Sequence, residues 1–386
     1  MIKTMIRTAC EIFLVIILTG CVTRSTGNIS GTDTVTVANE RNIRLIFAGD
    51  VMGHSTQVRG AWHDGGDSCY NFMPTFQWVK SYISSADLAI ANLELTFAGE
   101  PYTGYPTFSC PVALAEALQD TGFDLLLTAN NHSLDRGSKG MLQTINVLDN
   151  LDITHTGSFK DSVSREVNYP LIIEKNGFRL AFLNYTYGTN GFMPTPPFIV
   201  NYLDTTKITD DLERCRAMNA DYIISCVHWG DEYMNYENET QRELAHFLAR
   251  NGCNLIVGSH PHVVQPVQQI EGYAGDSVLV AYSLGNFVSN QRWRYSDGGI
   301  MLEVNLTQTD STVTLQSYSV EPFWVVRYPD QYVQVYRLIM IDDYINHPDR
   351  FTIVTPEDDS KLWQFYNDTK EIIPVIHTNA FRSVNN

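Results

Sequence analysis

Hydrophobic and polar positions follow one recurring order along this chain. A short apolar run of strand length, rich in Ile, Leu and Val, is followed at once by a cluster of Asp, Glu, Asn or His. Apolar runs of this length that end in polar residues are typical of buried β-strands leading into loops. The order occurs five times, in residues 43–54, 88–94, 125–132, 222–230 and 255–262. We therefore expect five strands that each end in chemically versatile side chains.

Helical patterns lie between these runs. Residues 112–120, 141–150 and 239–251 place apolar side chains at helical spacing, and the last segment has an acidic start and a glycine after it. Strands that alternate with helices predict a largely parallel sheet. In such a sheet the loops beyond the carboxyl ends of the strands form the ligand crevice. The five polar clusters are therefore expected to converge on one site.

The clusters supply oxygen and nitrogen donors and no thiolate. These donors are Asp50, Glu94, Asn131, His228, His260 and His262. Carboxylate, amide and imidazole groups suit Mn, Fe or Zn, and the set is too large for one tetrahedral ion. We therefore expect two divalent transition-metal ions, which would activate a shared water and stabilise both oxygens of a phosphoryl displacement. His132, next to Asn131, would then protonate the leaving oxygen.

Six segments carry a resemblance to a known family. In chain order they read FAGDVMGH, ANLELTF, GFDLLLTANNHSLDRG, VHWGDEY, ELAHFLARNGCNLIVGSHPHVVQPV and YSLGNFV. Together they closely resemble the bacterial capsule-synthesis protein CapA family, also called the poly-γ-glutamate synthesis family, over residues 43–325. That family is similar to the calcineurin-like metallophosphoesterases. The resemblance implies a four-layer α/β/β/α sandwich around a dimetal centre, which refines the single parallel sheet expected above.

The resemblance also implies a role for individual residues. Asp50 matches the first metal aspartate, and Glu94 stands where metallophosphoesterases usually place a bridging Asp. Asn131 and His132 match the Asn-His pair. The single-His motif and the final His-x-His motif are matched by His228, His260 and His262.

Two motifs depart from the metallophosphoesterase pattern. The first motif usually reads Asp-x-His, but here the histidine lies four residues after Asp50, at His54. His54 would either ligate a metal or contact the substrate. The second motif lacks the usual Gly-Asp and offers Asn92-Leu93-Glu94 instead.

Several nearby residues have two interpretations. Asp135 and Arg136 either cap the following helix or orient a metal ligand, and Asn286 is either a turn residue or a residue on the rim of the site. Three further residues either line the crevice or pack, with packing preferred: Trp229, Glu232 and Tyr233. The histidines outside the strand-end pattern are expected to be structural or on the surface: His63, His155, His246, His347 and His377.

The N-terminus has the pattern of a processing signal. Lys3 and Arg7 precede an apolar run over residues 12–18, which at roughly 10 Å of helix is too short for a bilayer core of about 30 Å. The run ends in Leu-Thr-Gly-Cys at Cys21, which looks like a bacterial lipobox. Residues 1–20 are thus predicted to be a lipoprotein signal peptide. Cys21 would carry lipid and attach the body to a membrane of the cell envelope, outside the cytoplasm.

Composition divides the remaining chain into three parts. Residues 21–42 are rich in Ser, Thr, Gly and Asn and predict a flexible tether. Residues 43–325 form the expected metallophosphoesterase-like domain, and residues 326–386 predict a C-terminal extension of one strand and one helix packed on it. In an oxidising compartment Cys69 and Cys110 could form a disulfide, whereas Cys226 and Cys253 are expected to be buried thiols.

Charge limits the possible partners. The 386 residues include 26 Lys and Arg against 43 Asp and Glu, which gives a net charge of −17 that becomes −18 when residues 1–20 are removed. A chain without a basic stretch is not expected to bind duplex nucleic acid. With 44% apolar and 18% charged residues, a folded body with a sizeable core is expected.

Three classes of function remain open. The first is a metal-dependent hydrolase or transferase of metallophosphoesterase type, acting on a phosphoester or an anionic polymer in capsule or poly-γ-glutamate synthesis or processing. The second is a non-catalytic component that binds the polymer or capsule synthase components. The third is a surface scaffold, which has no need for clustered histidines. The ligand set therefore favours the first class.

Overall fold

The computed structural model describes residues 40–374. The signal peptide, Cys21, the tether as far as residue 39 and His377 lie outside the described residues. The first strand begins at Arg41, so the last two residues of the expected tether belong to the folded body.

Strands in the described residues form two large sheets and one small one. In chain order they are β1 (Arg41–Val51), β2 (Leu88–Leu93), β3 (Leu125–Leu127), β4 (Thr154–Thr156), β5 (Ser158–Phe159), β6 (Leu171–Lys175), β7 (Phe178–Thr186), β8 (Ile199–Val200), β9 (Tyr222–His228), β10 (Leu255–Ser259), β11 (Val267–Glu271), β12 (Ser277–Ala281), β13 (Asn286–Val288), β14 (Gly298–Thr309), β15 (Thr312–Asp330) and β16 (Val333–Met340). The first sheet has the order β16-β15-β14-β1-β2-β3-β4, with β13 also paired to β1. The second has the order β11-β12-β10-β9-β7-β6, and β5 pairs with β8.

Most of the helices cover the outer faces of the two sheets, and the last two contribute side chains to the core between the sheets. The helices are α1 (Ser55–Asp64), α2 (Met73–Phe76), α3 (Lys80–Ile83), α4 (Ala113–Thr121), α5 (Gly137–Asn150), α6 (Ser162–Asn168), α7 (Thr205–Ala217), α8 (Glu239–Arg250), α9 (Ile341–Asn346) and α10 (Pro356–Ile372). The three helices expected from sequence correspond to α4, α5 and α8. Within residues 40–374, none of the helices combines the length and apolarity needed to cross a bilayer.

Alternating side chains of β1 separate two hydrophobic cores. Leu45 and Phe47 join the core between the sheets, where they share a cluster with Phe182 of β7 and other residues of the second sheet. Ile46 and Ala48 point to the opposite face and pack in the cluster that includes the apolar residues of α4. This period of two is the one that a strand with both faces buried requires.

The second sheet is covered in the same way on its outer face. Leu183 of β7 and Ile223 of β9 pack there against Leu212 of α7 and Leu248 of α8. Helices, sheet, sheet and helices therefore follow one another. The predicted four-layer α/β/β/α sandwich is confirmed.

The single, largely parallel sheet expected from the pattern alone is wrong. All five predicted runs are strands, but β1, β2 and β3 belong to the first sheet, and β9 and β10 belong to the second. Both sheets are mixed, because β14, β15 and β16 pair antiparallel in one and β6 and β11 pair antiparallel at the edges of the other. An apolar run shows that a strand is buried and does not show which neighbour it pairs with.

The C-terminal residues complete the first sheet and the central core. β16 pairs antiparallel with β15, and α10 contributes Leu362 and Phe365 to the core that holds Trp324. Residue 325, the expected end of the main domain, falls inside β15.

All cysteines of the described residues are free thiols. Cys69, which is exposed, and Cys110, which is buried, are not bonded to each other. Cys226 and Cys253 are buried, as expected from the apolar sequence around them.

Candidate metal centre

The predicted ligands lie where strands of both sheets end. Asp50 is near the end of β1, Glu94 directly follows β2, and His228 is the last residue of β9. The remaining three follow β3 or β10, and all six are at most 3% exposed: Asp50, Glu94, Asn131, His228, His260 and His262. The carboxyl ends of strands from two sheets therefore bring these side chains together.

Five of these side chains form two groups of possible metal ligands. One group consists of Glu94, His228 and His260, and the other consists of Asp50, Glu94 and His262. Within each group the ligand atoms all lie within 4.8 Å of one another. Glu94 is common to both groups, which places its carboxylate in a position to bridge two cations.

The Glu94 carboxylate lacks the protein partners that a buried charge needs. Neither of its oxygens has a hydrogen-bond partner, although both are buried. Its Oε1 lies 3.6 Å from His228 Nε2, 3.7 Å from His262 Nε2 and 4.0 Å from His132 Nε2. Burial, followed by the nearby Asp50 carboxylate, raises the pKa of Glu94 well above its usual value. Because an isolated buried carboxylate is costly, these unpaired oxygens fit a bound cation.

The Asp50 carboxylate is held by groups from both sheets. Asn92 Nδ2 donates to Asp50 Oδ1 at 2.8 Å. Oδ2 accepts from the backbone N–H of His260 at 3.3 Å and lies 3.1 Å from His262 Nδ1. A proton on His262 Nδ1 leaves the lone pair on Nε2, the atom nearer Glu94. A carboxylate that orients a ligating histidine in this way is a common feature of metal sites.

His228 is fixed through both ring nitrogens. Its Nδ1 lies 2.9 Å from Ser259 Oγ and 3.3 Å from Asn92 Nδ2, and its Nε2 lies 3.0 Å from Asn131 Oδ1. Burial, followed by the charge of His260, lowers the pKa of His228 well below its usual value. The ring is therefore kept in the neutral form that binds metals.

The segment after β10 has an unusual backbone conformation. His260 has φ 101° and His262 has φ 59°, in a region that non-glycine residues rarely adopt. Nδ1 of His260 is buried without a hydrogen-bond partner. Burial lowers the pKa of His260 to about 3. Strained backbone of this kind clusters at functional sites, where surrounding contacts hold it.

His132 lies beside the two groups without belonging to either. Its Nδ1 is 2.8 Å from Asp135 Oδ2, and the same oxygen accepts from the backbone N–H of Phe108 at 2.6 Å. The rings of Phe108 and His132 meet edge to face at a centroid distance of 4.8 Å. The Asp135 carboxylate thus orients His132, and the residue at the N-cap of α5 is Arg136.

His54 also lies outside both ligand groups. It is the N-cap residue of α1, where its ring packs against Phe108 at a centroid distance of 5.2 Å. Its Nδ1 accepts from the backbone N–H of Asn290 at 3.2 Å and lies 3.1 Å from Gln57 Oε1. His54 is thus held by the neighbouring loops and is in neither ligand group, and its role as a metal ligand or substrate contact stays a prediction.

Arg136 and Asn286 hold loops. Arg136 donates to the carbonyl oxygen of Pro101 and to Thr103 Oγ1, both at 2.8 Å. Asn286 is fully buried, so it is not on the rim, and it donates to Gln291 Oε1 at 2.8 Å and to the carbonyl oxygen of Ser296.

Trp229 and Tyr233 differ in their roles. Trp229 is buried and donates from Nε1 to the carbonyl oxygen of Tyr282, so it packs. Tyr233 is 38% exposed, and its ring lies 5.9 Å from that of His262, so it lines the opening. Glu232, next to it, is exposed.

Three contributors to the site were not predicted from sequence. Asn92 links Asp50 to His228, Ser259 hydrogen-bonds His228, and Tyr187 lies against His260 at a ring-centroid distance of 4.6 Å. Asn92 is two residues before Glu94, and that spacing places both on one side of an extended strand. The two-residue spacing from Glu94 could therefore have predicted that Asn92 lies in the site. The position of Tyr187 depends on the pairing of β7 with β9, which the pattern does not reveal.

These features define a class of protein: a four-layer sandwich with a buried carboxylate shared by two groups of ligands at the strand ends. Residues 44–291 match the family described as bacterial capsule synthesis protein PGA_cap. The chain belongs to this family, and the resemblance found in its six motifs is confirmed.

Two of the curated relatives come from Bacillus species. The chain is 29% identical over 283 residues to the PGA biosynthesis protein CapA of Bacillus subtilis (strain 168), a match that covers 67% of each chain. It is 28% identical over 252 residues to the capsule biosynthesis protein CapA of Bacillus anthracis, covering 62% of this chain. This second match spans only 59% of the relative's length.

Solved structures with a related architecture are more distant. One is the calcineurin-like phosphoesterase YfkN from Bacillus subtilis, with a TM-score of 0.44 and 12% identity over 86% of this chain and 98% of that chain. Another is the NAD nucleotidase NadN of Haemophilus influenzae, with a TM-score of 0.46 and 12% identity over 86% of this chain and 61% of that chain. At this distance they add nothing about the chemistry of the site.

Proposed function

We propose that this protein is a metal-dependent hydrolase or transferase of phosphoesterase type in the bacterial cell envelope. It would act in the synthesis or processing of a capsule or poly-γ-glutamate polymer, attached to a membrane by lipid at Cys21 and associated there with capsule synthase components. One observation carries the proposal: the buried, unpartnered carboxylate of Glu94 belongs to two ligand groups. The names of the two Bacillus relatives support the biological setting.

Two divalent ions of Mn, Fe or Zn are the cofactors that this donor set suits. Each group combines one or two carboxylates with one or two imidazoles, and neither contains a thiolate. When bound, such ions supply Lewis-acid stabilisation of the negative oxygens of a phosphoryl group.

Side chains of this protein supply the proton chemistry. Asp135 Oδ2 lies 2.8 Å from His132 Nδ1 and accepts a hydrogen bond from a proton on that nitrogen, which leaves Nε2 as the nitrogen that faces the ligand groups. That atom is 4.0 Å from Glu94 Oε1, next to the ligand groups. His132 is thus placed to give a proton to a leaving oxygen.

Metal content tests whether Glu94 is a ligand shared by two metal ions. The purified protein is expected to hold about two ions per chain, and Glu94→Gln is expected to lose most of both because it changes the shared ligand. His260→Ala and His262→Ala each remove a ligand from one group only, so each is expected to lose about one ion. His155→Ala is the matched control, because His155 pairs with Asp149 away from the centre. Metal at background level in the parent would overturn the proposal.

Turnover separates the two remaining classes of function. The metal-loaded protein is expected to hydrolyse members of a panel of phosphomonoesters and phosphodiesters, and Glu94→Gln is expected to abolish this activity. If the parent binds metal and hydrolyses none of them with any of the three metals, the non-catalytic component of a capsule assembly complex replaces the enzyme.

A further inference from the structure

Aromatic side chains from three loops surround the opening of the metal centre. Tyr187 follows β7, Tyr233 follows β9, and Trp293 follows β13. They are 48%, 38% and 52% exposed. Tyr187 lies against His260, Tyr233 faces His262, and the rings of Tyr233 and Trp293 meet edge to face at 5.2 Å. We call these three residues the aromatic rim.

Hydrogen bonds hold the two tyrosines of the rim next to the metal centre. The backbone N–H of Tyr187 donates to the carbonyl oxygen of His228 at 3.0 Å, and that of Tyr233 donates to the carbonyl oxygen of Pro261 at 2.8 Å. Gln291 Nε2 donates to the hydroxyl oxygen of Tyr233 at 3.3 Å. The Tyr233 ring, held at its backbone and its hydroxyl, can therefore bind a ligand at a low cost in conformational entropy.

Positive charge is absent from the contacts of the rim. Within residues 40–374, no lysine or arginine forms an ion pair or hydrogen bond with the three aromatic side chains or with the exposed Glu232 beside them. The two arginines that flank Trp293 are engaged elsewhere: Arg292 donates to the carbonyl oxygen of Val325, and Arg294 forms a bidentate pair with Asp368. A polycarboxylate would therefore meet rings and an acidic residue at this opening.

We propose that the aromatic rim binds an uncharged ring, either a sugar or a nucleobase, that the substrate carries next to its phosphoester. The proposal rests on the proposed function and narrows it, because it selects a ring-bearing phosphoester over a polymer of glutamate. Exposed Tyr and Trp rings stack on the apolar faces of such groups without needing charge.

Binding and kinetics on the metal-loaded full chain test the rim. AMP and glucose 1-phosphate serve as ring-bearing probes, glycerol 3-phosphate as the probe without a ring, and a glutamate oligomer as the polycarboxylate. Isothermal titration gives the Kd of each probe, and KM and kcat are measured for each one hydrolysed. The parent is expected to bind one ring-bearing probe at least about 10-fold more tightly than glycerol 3-phosphate. The tighter of AMP and glucose 1-phosphate identifies the ring as nucleobase or sugar.

Variants assign the preference to the rim. Trp293→Ala is expected to raise the Kd of the ring-bearing probe about 10-fold and to raise its KM more than it lowers kcat. The Kd of glycerol 3-phosphate should not change. Tyr233→Phe keeps the ring and should keep the preference. Trp62→Ala is the matched control: Trp62 is 37% exposed and packs on a single tyrosine ring, Tyr70, on another part of the surface, so this variant should behave as the parent.

The outcomes separate the rim from the hydrolase. If the parent prefers a ring-bearing probe, Trp293→Ala loses that preference and no probe is hydrolysed, the proposal for the rim stands and the proposal of a hydrolase is overturned. Turnover without ring preference keeps the enzyme and overturns the rim. The rim is also overturned if no ring-bearing probe binds measurably, if the glutamate oligomer binds as tightly as they do, or if Trp62→Ala matches the effect of Trp293→Ala.

Discussion

Neutral hydrogen-bonding residues determine how the charged side chains of the centre are oriented. Asn92 donates to Asp50, and Ser259 contacts the ring nitrogen of His228 that faces away from Glu94. The protein thus fixes Asp50 and His228 through neutral neighbours, whereas both oxygens of Glu94 are left for a cation. This is the arrangement in which removing a single partner weakens metal binding or activity without unfolding the chain.

A single substitution tests whether His132 is a proton donor or a metal ligand. His132→Ala is expected to lower kcat by about 10²–10⁴-fold, the usual effect of losing a proton donor, while metal content stays near that of the parent. The expectation follows from its position outside both ligand groups and from the Asp135 contact on Nδ1. Single-turnover kinetics and elemental analysis are the measurements. Asp50→Ala, which removes a ligand, should lose both metal and activity. Loss of metal in His132→Ala would make His132 a ligand.

Residue types and their positions at strand ends were enough to find side chains that the fold brings together, and their role as metal ligands stays a prediction. The six expected ligands are buried together, because each follows an apolar run that the fold places at one edge. His54 is in neither ligand group, and its Nδ1 accepts a hydrogen bond from the backbone of Asn290, which is 236 residues away in the chain. A pattern of neighbouring residues carries no information about such a contact.

Strand β1 is the element on which the centre depends most. It pairs with β2, β13 and β14, and it carries Asp50. The backbone N–H of Asp50 donates to the carbonyl oxygen of Gly285 at 3.0 Å. At Gly49 the two backbones are so close that a Cβ would overlap the same carbonyl oxygen. The absence of a side chain at Gly49 is therefore a condition for placing Asp50.

Replacing this glycine should damage stability and metal binding together. Gly49→Ala is expected to lower the free energy of unfolding by about 1–3 kcal/mol, the usual cost of forcing extra atoms into a packed interior. It should also reduce metal content, because β1 must shift to admit the methyl group. Urea unfolding and elemental analysis measure the two effects. Gly188→Ala is the matched control, since a Cβ there meets no atom within 4 Å. Equal behaviour of the two variants would contradict the role given to Gly49.

Elements were easier to predict than their pairing. The five apolar runs and the three helical patterns are all present at nearly the expected positions. The division of the runs between two sheets was not visible, because β1 and β9 are both buried on both faces and look alike in sequence. The four layers became predictable only through the resemblance to a family. The long antiparallel hairpins of β14, β15 and β16 carry no polar cluster and left no functional signal.

The two-sheet architecture explains how distant segments form one centre. Three of the contributing strands belong to the first sheet and two to the second, and the shared core between the sheets fixes their separation. Mutations in that core should therefore act on both ligand groups at once. A change near one strand end alters one group only, unless it affects Glu94.

Attachment to a membrane is a property of the whole molecule that Cys21 is predicted to determine. Cys21→Ala should move the protein from the detergent phase to the aqueous phase, or leave the signal uncleaved, because an acyl chain contributes about 0.8 kcal/mol of membrane affinity for each buried CH₂ group. Phase partitioning and intact mass are the measurements. Cys10→Ala is the matched control, since Cys10 lies within the segment that cleavage would remove and the mature protein should be unchanged. A Cys21→Ala protein with the parent's partitioning, and with a mass lower than the parent's only by the cysteine-to-alanine difference, would rule out a lipid on Cys21.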